Sequence, residues 1–170
     1  MTAFTVVTCD NDDDNNTPQD PVSQLPPATM TGANTFGALL DGVPFIPSGG
    51  INPLDCQYQL VNGERFFLVQ ASKRDENFRI VSLSLSTLSR ELIEGQTFVL
   101  ETEQTGNASG AYGFSGTFSF TDLVHSGEMT ITRLDLNAQI VSGTFFYDVI
   151  DGEGNLRQIR DGRFDMRFTQ

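Results

Sequence analysis

Turn dipeptides recur so closely along this chain that little fits between them except short strands. Asp41-Gly42, Asn62-Gly63 and Asp161-Gly162, together with the run Asp151-Gly152-Glu153-Gly154, each divide two apolar segments. Asp-Gly and Asn-Gly supply the positive φ angles that a two-residue type I′ hairpin turn requires. Between the turns apolar and polar residues alternate with the period of a strand. This reading predicts strands over 36–40, 43–46, 57–61, 64–71, 78–86, 96–103, 111–120, 128–133, 139–150, 156–160 and 163–169. Pro44 lacks an N–H, which puts its strand at an edge or a bulge. Only 89–95 has room for a helical turn, with Gly95 to end it. Parallel neighbours need crossovers of about a dozen residues, and the connections here are shorter, so the sheet is expected to be antiparallel. The predicted fold is an all-β antiparallel sandwich of about ten strands, with a closed β-barrel as the alternative.

The charge balance narrows the function classes. The 170 residues carry 22 acids against 10 bases, a net of −12. No Lys/Arg-rich run is present, so no basic surface is offered to replace the counterions of a nucleic acid. There is one His, there is no Trp, and the two cysteines, Cys9 and Cys56, are too far apart for a CxxC motif. A zinc quartet or a site built on several imidazoles is therefore not expected, nor is any cofactor.

The first 31 residues differ from the rest. Residues 10–31 hold Asp10, Asp12, Asp13, Asp14 and Asp20, no base, and four of the seven prolines. Their only large apolar residues are Val22, Leu25 and Met30, too few to offset the entropy of ordering, so an acidic, Pro-rich linker is expected. The remainder, 32–170, has 17 acids against 10 bases and forms the all-β domain. Residues 1–9 end in Val6-Val7-Thr8-Cys9, an apolar run too short to cross a bilayer. It resembles the end of a bacterial lipoprotein signal, which is cleaved before a cysteine that then carries lipid; this makes Cys9 the expected lipidation site. The run Asp10 to Asn16 resembles the acidic export signals that follow such cysteines. It also has the D-x-D-x-D start of a calcium loop, but Asn15 stands where the sharp-turn Gly belongs and Pro21 where the bidentate Glu belongs.

The segments Phe36-Gly37-Ala38-Leu39-Leu40-Asp41-Gly42-Val43-Pro44-Phe45, Gly127-Glu128-Met129-Thr130-Ile131-Thr132, Ile140 to Tyr147 and Gly162-Arg163-Phe164 resemble a family of uncharacterised Bacteroidota lipoproteins, domain of unknown function 6252. The Cys9 and acidic-linker arrangement is similar too. The resemblance implies a lipid-anchored outer-membrane location and an all-β fold, and it assigns no activity. Relatives often carry a cysteine near the first turn, where this chain has Ala38, which implies that Cys56 is a free and buried thiol.

Candidate chemistry is sparse. Asp122, His125 and Ser126 are close in sequence, but a triad is assembled across a fold, and no G-x-S-x-G elbow is present. Glu101 with Glu103, and Asp148 with Asp165, are the carboxylate pairs that a glycosidase would need about 5–9 Å apart; solvent-facing strand carboxylates are the expectation. Arg157, Arg160, Arg163 and Arg167 gather in the last two strands. Arg163, Asp165 and Arg167 share one outward face, either as a charge ladder or as a binding face for an anion or a glycan carboxylate. Tyr112, Phe114, Phe118 and Phe120, with Phe145 and Tyr147, form an aromatic stripe expected in the core.

Together these features point to a non-enzymatic, lipid-anchored module of the outer membrane, exposed at the cell surface or facing the periplasm. It would bind a glycan or a protein through its turns or through the Arg163, Asp165 and Arg167 face, and its membrane partner would be reached through lipid on Cys9. The alternatives are a β-barrel carrier of a small apolar ligand and a weak glycoside hydrolase.

Overall fold

The computed structural model describes residues 20–50 and 52–170; Cys9 and the acidic run after it lie outside them. After a single 3-10 turn, Pro21–Gln24, come eleven strands: β1 Thr35–Leu40, β2 Val43–Phe45, β3 Leu54–Val61, β4 Glu64–Arg74, β5 Ile80–Thr87, β6 Thr97–Leu100, β7 Ala108–Phe114, β8 Thr117–Phe120, β9 Gly127–Asp135, β10 Ile140–Ile150 and β11 Leu156–Arg167. They form one sheet in the order β2-β1-β11-β10-β9-β6-β7-β5-β4-β3, with β8 added beside β7.

The sheet folds over on itself into two packed layers. β4 lies six places from β11 in the strand order, about 28 Å away if the sheet were flat. Yet the rings of Phe67 on β4 and Phe164 on β11 are 6.1 Å apart, and Tyr58 on β3 meets Phe168 at 5.6 Å. The interior between the layers is filled by Phe36, Phe45, Phe67, Phe98, Phe145 and Phe164 with aliphatic neighbours. Tyr147 is fully buried and satisfies its hydroxyl by donating to the Ala111 carbonyl at 2.7 Å. The layers are stitched at two isolated points: Thr169, just past β11, donates through its amide to the Cys56 carbonyl and accepts from the Tyr58 amide, and Ser48, past β2, donates through its amide to the Ser72 carbonyl. Two isolated bridges do not make a continuous ladder, so the result is a sandwich and not a closed barrel.

Four local expectations are corrected. First, the sheet is mixed. β6 and β7 run parallel, paired at Leu100 and Ala108. The loop 101–107 suffices because β7 begins where β6 ends, so no return crossover is needed. Second, 111–120 is a hairpin and not one strand: Ser115 and Gly116 both take positive φ (50° and 88°) and turn Phe114 back against Thr117. Third, Asp161-Gly162 is a bulge inside β11. Its neighbours β1 and β10 run on past it, and Gly162 leaves room for the Phe145 ring, whose atoms stand 2.5 Å from where a Cβ would be. Fourth, 89–95 forms an irregular loop, pinned by buried Leu92, whose amide donates to the Tyr58 hydroxyl.

The expected linker is also shorter on the body side. From Asp20 onward the chain lies on the outer face of β1 and β11 as a strap. Leu25 is 7% exposed, and Pro26 sits over Gly37, its Cδ 2.5 Å from where a Cβ would be. Gly37 is thus explained by the strap and not by the β1–β2 hairpin.

Cys56 is a free thiol, buried on β3. Burial, with a lesser contribution from the Asp55 charge, pushes its pKa far above the ordinary thiol range. In a Cys9→Ser variant, which leaves Cys56 as the one thiol, native protein should therefore react with a thiol reagent at least a hundredfold more slowly than protein unfolded in denaturant. Comparable rates in the two states would contradict the packing of β3.

Candidate ligand-binding cleft

Four turns meet at one end of the sandwich: β1–β2 at Asp41-Gly42, β4–β5 at 75–79, β7–β8 at Ser115-Gly116 and β10–β11 at 151–155. Between them opens a cleft of about 480 Å³ lined by Arg79, Tyr112, Phe114, Thr117, Ser119, Asp151, Glu153 and Arg157. The rings come from the inward face of β7. Each has a guanidinium laid over it: Arg79 is 4.7 Å from the Phe114 centroid and Arg157 is 5.5 Å from that of Tyr112. An arginine over a ring covers the mouth of the core while its charge stays wet. Five of the chain's ten basic residues are used in this way, with Arg65 over Tyr58, Lys73 over Phe45 and Arg90 over Phe98.

Three of the four charged side chains that line the cleft, Arg79, Asp151 and Arg157, are held in ion pairs. Arg157 donates through Nε to Asp151 at 2.8 Å and through Nη1 to Asp41 at 3.0 Å. Arg79 is fixed by Asp75 at 2.7 Å. Asp151 also accepts from the backbone amides of Glu153 and Asn155. Burial alone would raise the Asp151 pKa; these amides and Arg157 override it and hold it at about 2. The carboxylate is ionised at neutral pH and occupied as an acceptor, so it has no proton to deliver.

The residues singled out from sequence are scattered. Arg163, Asp165 and Arg167 do share the outward face of β11, as the alternation predicts, but the strap divides them. Asp165 is 1% exposed. Its Oδ2 accepts from Thr29 Oγ1 (2.6 Å), Thr31 N (2.9 Å), Thr31 Oγ1 (3.2 Å) and Ala33 N (3.2 Å), and its Oδ1 from Gly32 N (2.7 Å) and, on β10, Ser142 Oγ (2.8 Å). Asp165 is therefore a structural clasp and takes no part in an exposed face, because the strap covers it. Arg163 lines a separate groove of about 390 Å³ with Glu128, Thr144 and Phe146. Arg167 lies exposed beyond the strap, its amide donating to Asn34 and its Nη1 to the Ala138 carbonyl.

The carboxylate pairs do not meet as pairs. Asp165 is aligned with Ser142 on β10, six residues from Asp148, a separation of about 20 Å along a strand. Asp148 pairs with Arg160 at 2.7 Å. Glu101 and Glu103 lie beyond the end of β6, in the loop that leads to β7. Asp122 caps its own loop, accepting from the Val124 and His125 amides and meeting His125 Nδ1 at 3.2 Å. The stripe is split by the turn at Ser115: Tyr112 packs inward, while Phe118 and Phe120 stand on the outer face, 43% and 39% exposed. Among the described residues no group of three or more His, Cys, Asp and Glu converges as a metal site would.

No sequence motif marks Arg79, Asp151 or Glu153. The Asp-x-Glu-x-Asn spacing after β10 signals a side chain capping its own turn; that the turn faces Tyr112 is a product of the fold. No protein family, no curated protein and no solved structure matches the chain.

Proposed function

We propose that the protein is a lipid-anchored, non-catalytic binding module of the outer membrane, displayed at the cell surface, that takes a glycan or a protein segment into the cleft at its turn end. The observation that carries this reading is the pair of arginine-covered rings set around an open cleft whose two arginines and Asp151 are already fixed in ion pairs. Fixed guanidinium and carboxylate groups present hydrogen-bonding groups with little ordering left to do on binding. The rim of each ring left beside its guanidinium adds apolar contact area for a sugar or an apolar side chain. Turn ends vary without disturbing a core, which is why they carry recognition on many scaffolds. The saturated, ionised state of Asp151 and the separation of Asp148 from Asp165 favour binding over turnover. The rings that fill the interior leave the carrier reading without the apolar cavity it needs.

The membership in the lipoprotein family and the anchor on Cys9 belong to the same proposal. With its full natural start the protein should partition with membranes, and a Cys9→Ser variant should become soluble, since two or more acyl chains hold where one is marginal. Wild-type protein found in the soluble fraction would overturn the anchor. For the cleft, a glycan array and a pull-down with the full chain should yield a ligand whose binding drops at least tenfold in Arg157→Ala. Turnover of a chromogenic glycoside that vanished on Asp151→Asn would replace the binding module with a hydrolase.

A further inference from the structure

A second surface carries little charge: Asp55 of β3 stands at its end, accepting from the Gln57 side-chain amide, and its middle is neutral. On the outer face of the layer formed by β3, β4, β5, β7 and β8, strand alternation directs Gln57 and Gln59 of β3 and Phe66, Leu68 and Gln70 of β4 outward. The next two strands present only small groups there: Ser82, Ser84 and Ser86 on β5, then Ser109, Ala111 and Gly113 on β7. Phe118 and Phe120 of β8 rise on the far side, opposite Gly113 and Ala111. Small residues between two taller banks make an open trough of about 330 Å³. The core requires none of this, because it is filled from the opposite face of the same strands.

The lining identifies the occupant. Glu103, at the rim, is the one ionisable residue of the trough, in a chain whose net charge is −12. Outer strand faces normally carry charge along their length, so a face whose middle is neutral, with acids only at its edges and exposed phenyl rings, marks an interaction site. An apolar partner laid over it would leave the Gln59 and Gln70 amides and the Ser84 hydroxyl without water or a partner, a heavy cost for each group. A ligand with its own hydroxyls satisfies them, while the phenyl rings accept its C–H faces. The absence of a salt-bridging partner selects against a polyanion. The trough is open and lies on the layer opposite the strap, so a long chain can lie in it clear of residues 20–34. We propose that the trough binds a segment of a neutral polysaccharide, as a site separate from the cleft and independent of it.

The test is native affinity electrophoresis of the full chain through gels containing a mixed-linkage β-glucan, a xylan, a galactomannan or a soluble α-glucan, with polygalacturonate and alginate as charged controls. Phe118 covers Gly113, a Cβ on which would meet its ring at 2.7 Å, so Phe118 is left intact. The variants are Phe120→Ala and the double substitution Gln59→Ala with Gln70→Ala, each checked for an unchanged melting temperature. Retardation in at least one neutral gel, weakened tenfold or more in both variants and unaffected by Arg157→Ala, is the expected result. Three results would overturn the proposal: no retardation in any neutral gel, retardation confined to the polyanions, or neutral binding lost in Arg157→Ala but kept in the trough variants. Self-association that disappears in Phe120→Ala, without any neutral glycan binding, would identify the surface as a contact between copies instead.

Discussion

Asp165→Asn is expected to lower the melting temperature by about 10 °C and to free the strap. Both carboxylate oxygens of Asp165 accept hydrogen bonds from backbone amides, Oδ1 from Gly32 and Oδ2 from Thr31 and Ala33. An amide side chain must turn its NH₂ toward one of these sets and set donor against donor. Leaving such buried donors unpaired costs about 1–3 kcal/mol each, so a total of about 3–5 kcal/mol follows. For a domain of this size each kcal/mol moves the midpoint by about 2–4 °C. The pH dependence has a definite sign. Burial alone would raise the Asp165 pKa, but the bonds from Thr29, Thr31, Gly32 and Ser142 carry it well below the usual carboxylate range. Its contribution is complete above the unfolded value of about 3.9 and declines as the pH falls from there toward the folded value. The difference in midpoint between wild type and Asp165→Asn should therefore be constant from pH 7 to pH 5 and should narrow below about pH 4. Limited proteolysis should find new cleavage between residues 20 and 34 in the variant. If Asp165→Asn melted within about 2 °C of wild type at pH 7, less than the shift expected for 1 kcal/mol, the clasp would be dispensable.

Gly127→Ala is expected to cost about 3 kcal/mol or more, above the usual range for overpacking. A Cβ at this position would overlap the Phe146 carbonyl oxygen and the Tyr147 Cα. Both are backbone atoms of the partner strand, where Gly127 is aligned with Tyr147 and Glu128 with Phe146. No rotamer change relieves the contact; β9 and β10 must move apart. Tyr147 sits at the centre of the core, with its hydroxyl on Ala111 and its ring against Gly110, so the displacement reaches β7 as well. Gly152→Ala is the matched control. It sits in the turn after β10, its φ is outside the left-handed region, and a Cβ there would find only Thr117 Cγ2 at 3.9 Å. A change within about 0.5 kcal/mol is expected. Denaturant melts of the two variants should separate clearly, and equal midpoints would mean that β9 and β10 are not packed as described.

Local features are legible in the sequence because a two-residue turn depends on its own residues. Asp41-Gly42 and Asn62-Gly63 reverse the chain with both residues at positive φ, and the flanking alternation then names the buried side of each strand. The same rule puts Phe164, Met166 and Phe168 inward and Arg163, Asp165 and Arg167 outward, and the structure keeps that parity. Sequence and structure part where a local signal has two meanings. Ser115-Gly116 hides inside an expected strand because the aromatic alternation runs across it. Asp161-Gly162 has the dipeptide of a turn, yet it forms a bulge because β1 and β10 continue on either side and hold the strand straight through.

Strand parity, the Asp41-Gly42 and Asn62-Gly63 turns and the all-β class follow from residues within a few places of one another, and for those the sequence sufficed. The covering of the outward face did not follow. Whether Asp165 met water or five hydrogen-bond donors depended on a segment more than 130 residues away, whose few apolar residues gave no sign that it would pack. Whether Tyr112 faced Arg157 depended on a sheet that folds over until β7 and β11 come together. The small outward residues of β5 and β7 became a trough only when β8 turned back and stood two phenyl rings beside them. Each of these outcomes is a long-range contact, and its energy belongs to the approach of two surfaces and not to either segment, so only the tertiary structure could decide it.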